Sequence, residues 1–113
     1  MISINFNHPP KKISKFSKKE LDTFFKKAKC LYKNQALTFL IHPKMAQFGR
    51  ILISIPKKYG NAPERNLIKR RLKSLFIEEK WYEKPYDFAF MVKPQAKDLS
   101  FAQLKEIMLH VAF

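Results

Sequence analysis

Glycine is nearly absent from this chain: Gly49 and Gly60 are the only two in 113 residues. Neither a P-loop nor a dinucleotide-binding pattern can be built from them, which excludes a nucleotide cradled by backbone. Cysteine is scarcer still. The single Cys30 excludes an internal disulfide and a CxxC zinc pair, and it fits a reduced, intracellular setting, with the cytoplasm as the expected location. No apolar run reaches about 18 residues, so no membrane-spanning helix is expected. The first ten residues lack a cationic start followed by an apolar core and do not read as a secretory signal. Catalytic groupings are missing as well. His8, His42 and His110 lie far apart with no ligand spacing, and no Ser/His/Asp set has local support. Neither catalytic residues nor a protein metal site is therefore expected. Glu78, Glu79, Glu83 and Asp87 sit near lysines and read as solvated counter-charges.

Acidic residues are few, 9 against 23 Lys and Arg, and the formal net charge is +14 with a pI near 10.0. Self-repulsion at that charge opposes compactness unless a polyanion relieves it. Nucleic acid is the first candidate partner and an anionic membrane surface the second. Hydrophobic residues make up 46% and aromatics 14%, so a packed core is expected rather than disorder. The length suggests one domain, large enough to bury roughly two-thirds of its unfolded surface.

One stretch organises the rest, Lys57-Lys58-Tyr59-Gly60-Asn61-Ala62-Pro63-Glu64-Arg65-Asn66-Leu67-Ile68-Lys69-Arg70-Arg71-Leu72-Lys73. Gly60 permits a turn. Asn61 and Glu64 have the spacing of a capping box, and Pro63 falls in the first turn, where a missing N–H costs little. Ile68, Leu72, Leu75 and Phe76 then recur on a helical period, giving one apolar stripe. Asn66, Lys69, Arg70 and Lys73 fill a contiguous sector beside it, with Arg65 at its edge. The helix can bury one face and present cations on a second. Lys57 and Lys58 add charge near its N-terminal end.

The remaining chain reads in order as follows. Residues 1–14 form an extended basic arm, and residues 15–113 a single domain. A first helix spans about 18–29, capped by Ser17 and Glu20, with Leu21, Phe24, Phe25 and Ala28 on helical spacing. Residues 36–42 alternate as a strand, with Leu37, Phe39 and Ile41 on one face. Arg50 to Ile55 is a second strand, and a hairpin between these two is the simplest pairing. The basic helix runs to about Glu79. Tyr86 to Val92 is a third strand, and Ser100 caps a last helix with Leu104, Ile107, Met108 and Val111 inside. The order α-β-β-α-β-α gives a two-layer α/β (α+β) sandwich of three to four strands with helices on one side. The segment 50–92 suits a β-α-β crossover. Such a sheet can stack unpaired bases on aromatics while cations hold phosphates. Phe24, Phe25 and Phe39 are candidates, each with core packing as the competing fate.

The stretch from Lys57 to Arg70 resembles the signature of the bacterial ribonuclease P protein subunit: Lys-Lys, an apolar residue, Gly, a small or polar residue, Ala, two variable residues, then Arg-Asn-Arg, an apolar residue and Lys-Arg. The flanks agree: strand Ile51 to Ile55 precedes it, Asp87-Phe88 opens the next strand, and Lys93-Pro94 closes that strand before a final helix. The likeness covers about residues 12–111. Leu67 departs from it, standing where the triplet has its second arginine; Arg71 is the neighbour that could replace it. The resemblance implies a left-handed βαβ crossover, against the usual hand. It implies that Arg65, Asn66, Lys69 and Arg70 contact the catalytic RNA subunit, with Lys57, Lys58 and Lys73 as further RNA-binding candidates beside them. It also implies that the 5′ leader of precursor tRNA lies in a cleft lined by Phe25, Phe39, Leu21 and Lys69. Magnesium would be held mainly by the RNA, which would carry out the cleavage. No membrane and no obligate protein partner is implied. The competing readings are another small basic RNA-binding protein of ribosomal type and a stand-alone nuclease.

Overall fold

The computed structural model describes residues 13–111. Helix α1 spans Lys18–Lys27, followed by strands β1 (Lys29–Lys33), β2 (Leu37–Pro43) and β3 (Ile51–Ser54). Helix α2 (Ala62–Glu78), strand β4 (Tyr86–Val92) and helix α3 (Phe101–His110) complete the order. All three helices start on a reciprocal capping box: Ser17 with Glu20, Asn61 with Glu64, and Ser100 with Gln103. Each box satisfies two backbone N–H groups that the first turn leaves unpaired.

The sheet order is β1-β2-β4-β3. Strands β2 and β3 do not form the expected hairpin. Instead β4 lies between them, antiparallel to β2 with Phe39 opposite Phe90, and parallel to β3 with Ile53 opposite Phe90. The connection from β3 through α2 to β4 is therefore the crossover that parallel neighbours require. The physical reason is burial. Strand β4, the most buried strand, takes the centre, while short β3 is left at an edge. Strand β1 pairs with β2 at the other edge; it makes up the allowed count of four strands, but residues 29–33 were not read as a strand. Its Lys29 and Lys33 termini and its few apolar positions hide it, as is common for edges.

Alternation sorts the two faces of the sheet. Leu37, Phe39, Ile51, Phe88, Phe90 and Val92 face α2 and α3 and join Ile68, Leu72, Leu75, Phe76, Leu104 and Met108 in one buried cluster. Helix α1 does not join that layer. Its one buried residue, Phe24, lies against His42, with ring centroids 6.1 Å apart, on the opposite face. The helices thus occupy both faces rather than one, with α1 covering only one end of its side.

Most of the segment expected as an N-terminal arm lies outside the described residues. Its inner end is not free: Ile13 is buried in the main cluster, and its carbonyl accepts a hydrogen bond from the N–H of Ile51 at 2.9 Å. The two glycines differ. A side chain at Gly49 would meet the Tyr86 carbonyl oxygen at 2.4 Å, so close backbone approach explains that glycine. Gly60 is extended, with φ 162°, rather than a left-handed turn residue.

Candidate nucleic-acid interface

The basic helix does what its periodicity predicts. Ile68, Leu72, Leu75 and Phe76 are all buried, which fixes the rotation of α2 about its axis. Arg65, Asn66 and Lys69 then line a groove of about 230 Å³ together with Ala62 and with Ile53 and Ile55 at the sheet edge. A second, smaller groove continues along β3, lined by Ser14, Ile51, Leu52, Ile53, Lys69 and Lys73. Lys69 belongs to both. Arg65, Lys69 and Lys73 therefore form an i, i+4, i+8 row facing the edge strand. Leu52 points to the sheet face opposite Ile51 and Ile53. The second groove therefore brings that open face and the basic row together along one edge.

No carboxylate among the described residues pairs with this row. The acids on α2 are committed elsewhere: Glu64 to Lys97 at 2.6 Å, and Glu78 to Lys105 at 2.9 Å. Lys97 and the Asn61 N–H together hold the Glu64 carboxyl below its ordinary pKa. Within the row, the Nε of Arg65 is buried with no hydrogen-bond partner among the described residues. An orphaned guanidinium donor is unfavourable until an acceptor arrives. Lys57 and Lys58 are exposed in the short turn just before α2, held there by the buried Tyr59, whose hydroxyl burial pushes up in pKa. Arg70 is exposed on the outer side of α2. Leu67 is an exposed apolar residue, 39% accessible. Arg71 is half-buried, and its charge acts on Tyr59 rather than on either groove.

The candidate aromatics separate. Phe25 is 48% exposed and rests edge-on against Phe24, centroids 5.3 Å apart. Leu21, one turn earlier on α1, is half-buried. Phe39 does not belong to an accessible surface. It is 0% exposed, stacked on Phe90 at 4.3 Å and edge-on to Trp81 at 6.0 Å. No ring face is left for a base. The adjacent Thr38 and Leu40 carry the open face instead, because neighbouring strand residues point to opposite sides.

A constellation that the sequence reading missed lies at the end of the sheet nearest α1. Asp87, expected as a solvated counter-charge, is fully buried, and Arg50 is 4% exposed. Asp87 accepts the Arg50 backbone N–H at 2.9 Å and the guanidinium Nη2 at 3.3 Å. The same Nη2 donates to Glu20 at 2.6 Å, and Nη1 donates to the Lys15 carbonyl at 2.8 Å. The ring of Phe16 lies 4.2 Å from the guanidinium carbon. Glu20 therefore does two jobs, capping α1 and anchoring it to the sheet. Hydrogen bonds from Arg50 and Ser17 hold its carboxyl down at about 2. Sequence offered only a faint signal, an arginine beginning one strand and an aspartate early in another.

Comparison with known proteins gives a consistent picture. The family model described as Ribonuclease P matches residues 11–112. A ribonuclease P protein component from Finegoldia magna is 33% identical over 94 residues, which is 82% of this chain and 81% of that protein. One from Acholeplasma laidlawii is 38% identical over 91 residues, 80% of this chain and 78% of that protein. The structure of Staphylococcus aureus RNase P protein superposes with a TM-score of 0.76 at 25% identity, over 89% of this chain and 93% of that one. The Thermotoga maritima RNase P protein shares the fold, with a TM-score of 0.73 at 21% identity over 85% and 91% of the two chains.

Proposed function

The chain belongs to the ribonuclease P protein family, the protein component of a tRNA-processing endoribonuclease, and from that premise we propose how its surface serves the enzyme. The row Arg65, Lys69, Lys73, with Asn66 beside it, grips the phosphates of the catalytic RNA subunit. The observation that carries this is the absence of carboxylate partners along the row among the described residues, in a molecule that pairs Arg50, Lys97 and Lys105. Cations left unpaired at a groove release counterions when phosphate replaces them. The orphaned Nε of Arg65 gains its acceptor in the same step.

The 5′ leader of precursor tRNA runs over the open sheet face beside α1. Phe25 and Leu21 offer it apolar surface, and Lys69 meets it where the two grooves join. Phe39 supports that face from beneath and does not touch RNA. Magnesium assists the cleavage and is held mainly by the RNA. The carboxylates of Glu20 and Glu64 are tied to cations. This chain neutralises charge and positions the leader, and no bond-making step runs through it. The cytoplasm is the compartment in which it works.

Reconstitution tests the reading. Adding the protein to the RNA subunit should raise precursor tRNA cleavage at low magnesium by at least tenfold. No stimulation would reject it. Clean 5′ maturation by the protein alone would point to a stand-alone nuclease instead.

A further inference from the structure

Away from the α2 grooves, at the foot of α1, a separate pocket of about 270 Å³ is lined by Lys27, Lys29, Ile41, His42, Pro43 and Tyr86. We propose that this pocket is a subsite for one unpaired nucleotide of an RNA strand, its base over the apolar floor and its phosphate between the two lysines.

The chemistry of the lining selects that ligand class. Ile41, Pro43 and the ring of Tyr86 supply an apolar surface, and Tyr86 is held at its inner side by Phe88, 6.4 Å between centroids. Lys27 and Lys29 are exposed and form no ion pair with a carboxylate among the described residues. Their positions follow from the chain path. Lys27 ends α1 and Lys29 begins β1, so the short turn between them puts both residues in the lining of one pocket. Lys29 is also paired in register with Ile41 across the sheet, which places it directly beside the apolar floor. His42 adds a directional group. Its Nδ1 lies 2.7 Å from the Pro43 carbonyl oxygen. A carbonyl can only accept, so Nδ1 is the donor in this contact, which fixes the ring's orientation. The Phe24 ring packs against the imidazole and limits its rotation.

An apolar floor with two exposed cations that no carboxylate among the described residues pairs suits a molecule with a flat apolar body and an anion. A nucleotide has both. The volume is near the lower end of small-ligand pockets, roughly 300–1,000 Å³, so a single nucleotide fits and a base-paired helix does not. The inference rests on the assignment of this chain as an RNA-binding subunit. It concerns a different surface from the row on α2.

Photo-crosslinking in the assembled enzyme tests it. Two complexes are prepared, one with 4-thiouridine in the precursor leader and one with it in the RNA subunit, and crosslinked peptides are identified by mass spectrometry. Crosslinks to Tyr86 or His42 are expected from one of the two RNAs, and the arm that gives them identifies the strand. The double variant Lys27→Gln, Lys29→Gln should reduce their yield at least threefold. It lies on exposed positions, so its unfolding midpoint should match that of the unaltered chain. Arg65→Ala is the control on the other surface. In the free protein, adenosine monophosphate should still perturb the NMR signals of Lys29, His42 and Tyr86 in that variant, even where RNA-subunit binding is weakened. Crosslinks confined to α2 and the β3 edge in both arms would overturn the proposal. So would adenosine monophosphate shifts that are unchanged by the double lysine variant.

Discussion

Arg50 and Arg65 are the same residue type with opposite fates. Arg50 is sealed at the end of the sheet, with both carboxylates of its surroundings and a backbone carbonyl spent on it. Arg65 stands in a groove with one buried donor unanswered. The difference separates two uses of positive charge. In the first, cation and anions cancel inside the molecule and fix α1 to β4. In the second, charge is left uncancelled beside an edge strand, where only an external anion can complete it. A count of cations cannot distinguish the two; the location of the carboxylates can.

Substitutions should widen that contrast. Arg50→Ala leaves Asp87 buried and uncompensated, and should lower stability by about 3–5 kcal/mol in urea unfolding. Arg65→Ala should change stability by no more than about 0.5 kcal/mol. Equal effects would erase the distinction between the two sites. Phe39→Ala belongs with Arg50: the hole it leaves under Trp81 and Phe90 should cost about 3–5 kcal/mol. Loss of leader binding without loss of stability would return Phe39 to the RNA-facing surface. Phe25→Ala should do the reverse. It should leave the fold nearly unchanged but weaken leader-bearing precursor relative to mature tRNA by roughly 1–3 kcal/mol for each stacked base.

The smallest expected effect is a pH dependence. The folded-state carboxyl of Glu20 titrates at about 2, below its ordinary value of 4.5. Its contribution is therefore complete above about pH 4.5 and is lost as pH falls toward 2. Glu20→Gln should lower stability at neutral pH by about 1 kcal/mol and flatten the fall in that window. An unchanged acid limb would show that the Arg50 cluster does not bind Glu20 as drawn.

Much of this was legible in the sequence, for reasons that single residues show. The capping pairs Ser17–Glu20 and Asn61–Glu64 mark helix starts because they answer a strictly local need. The stripe on α2 and the whole of β4 follow from period alone. Long-range choices were not legible. Alternation puts Leu37, Phe39 and Ile41 on one face, but it does not say which face the helices will cover. Phe39 therefore had two open fates, and it took the core rather than the leader-binding surface that the resemblance implied. The hairpin expected between residues 36–42 and 50–55 failed for a related reason: nearness in sequence favours it, whereas burial of the apolar β4 places that strand between them. Asp87 looked solvated because its partner Arg50 is 37 residues away in the chain.

The decisive measurement is the salt dependence of binding to the RNA subunit, for the unaltered chain and for Arg65→Ala, Lys69→Ala and the triple variant that adds Lys73→Ala. If the unpaired row holds phosphates, the slope of log affinity against log salt should lose about one unit for each single substitution and nearly three for the triple. A triple variant that folds normally and keeps the full slope would contradict the role assigned to this row.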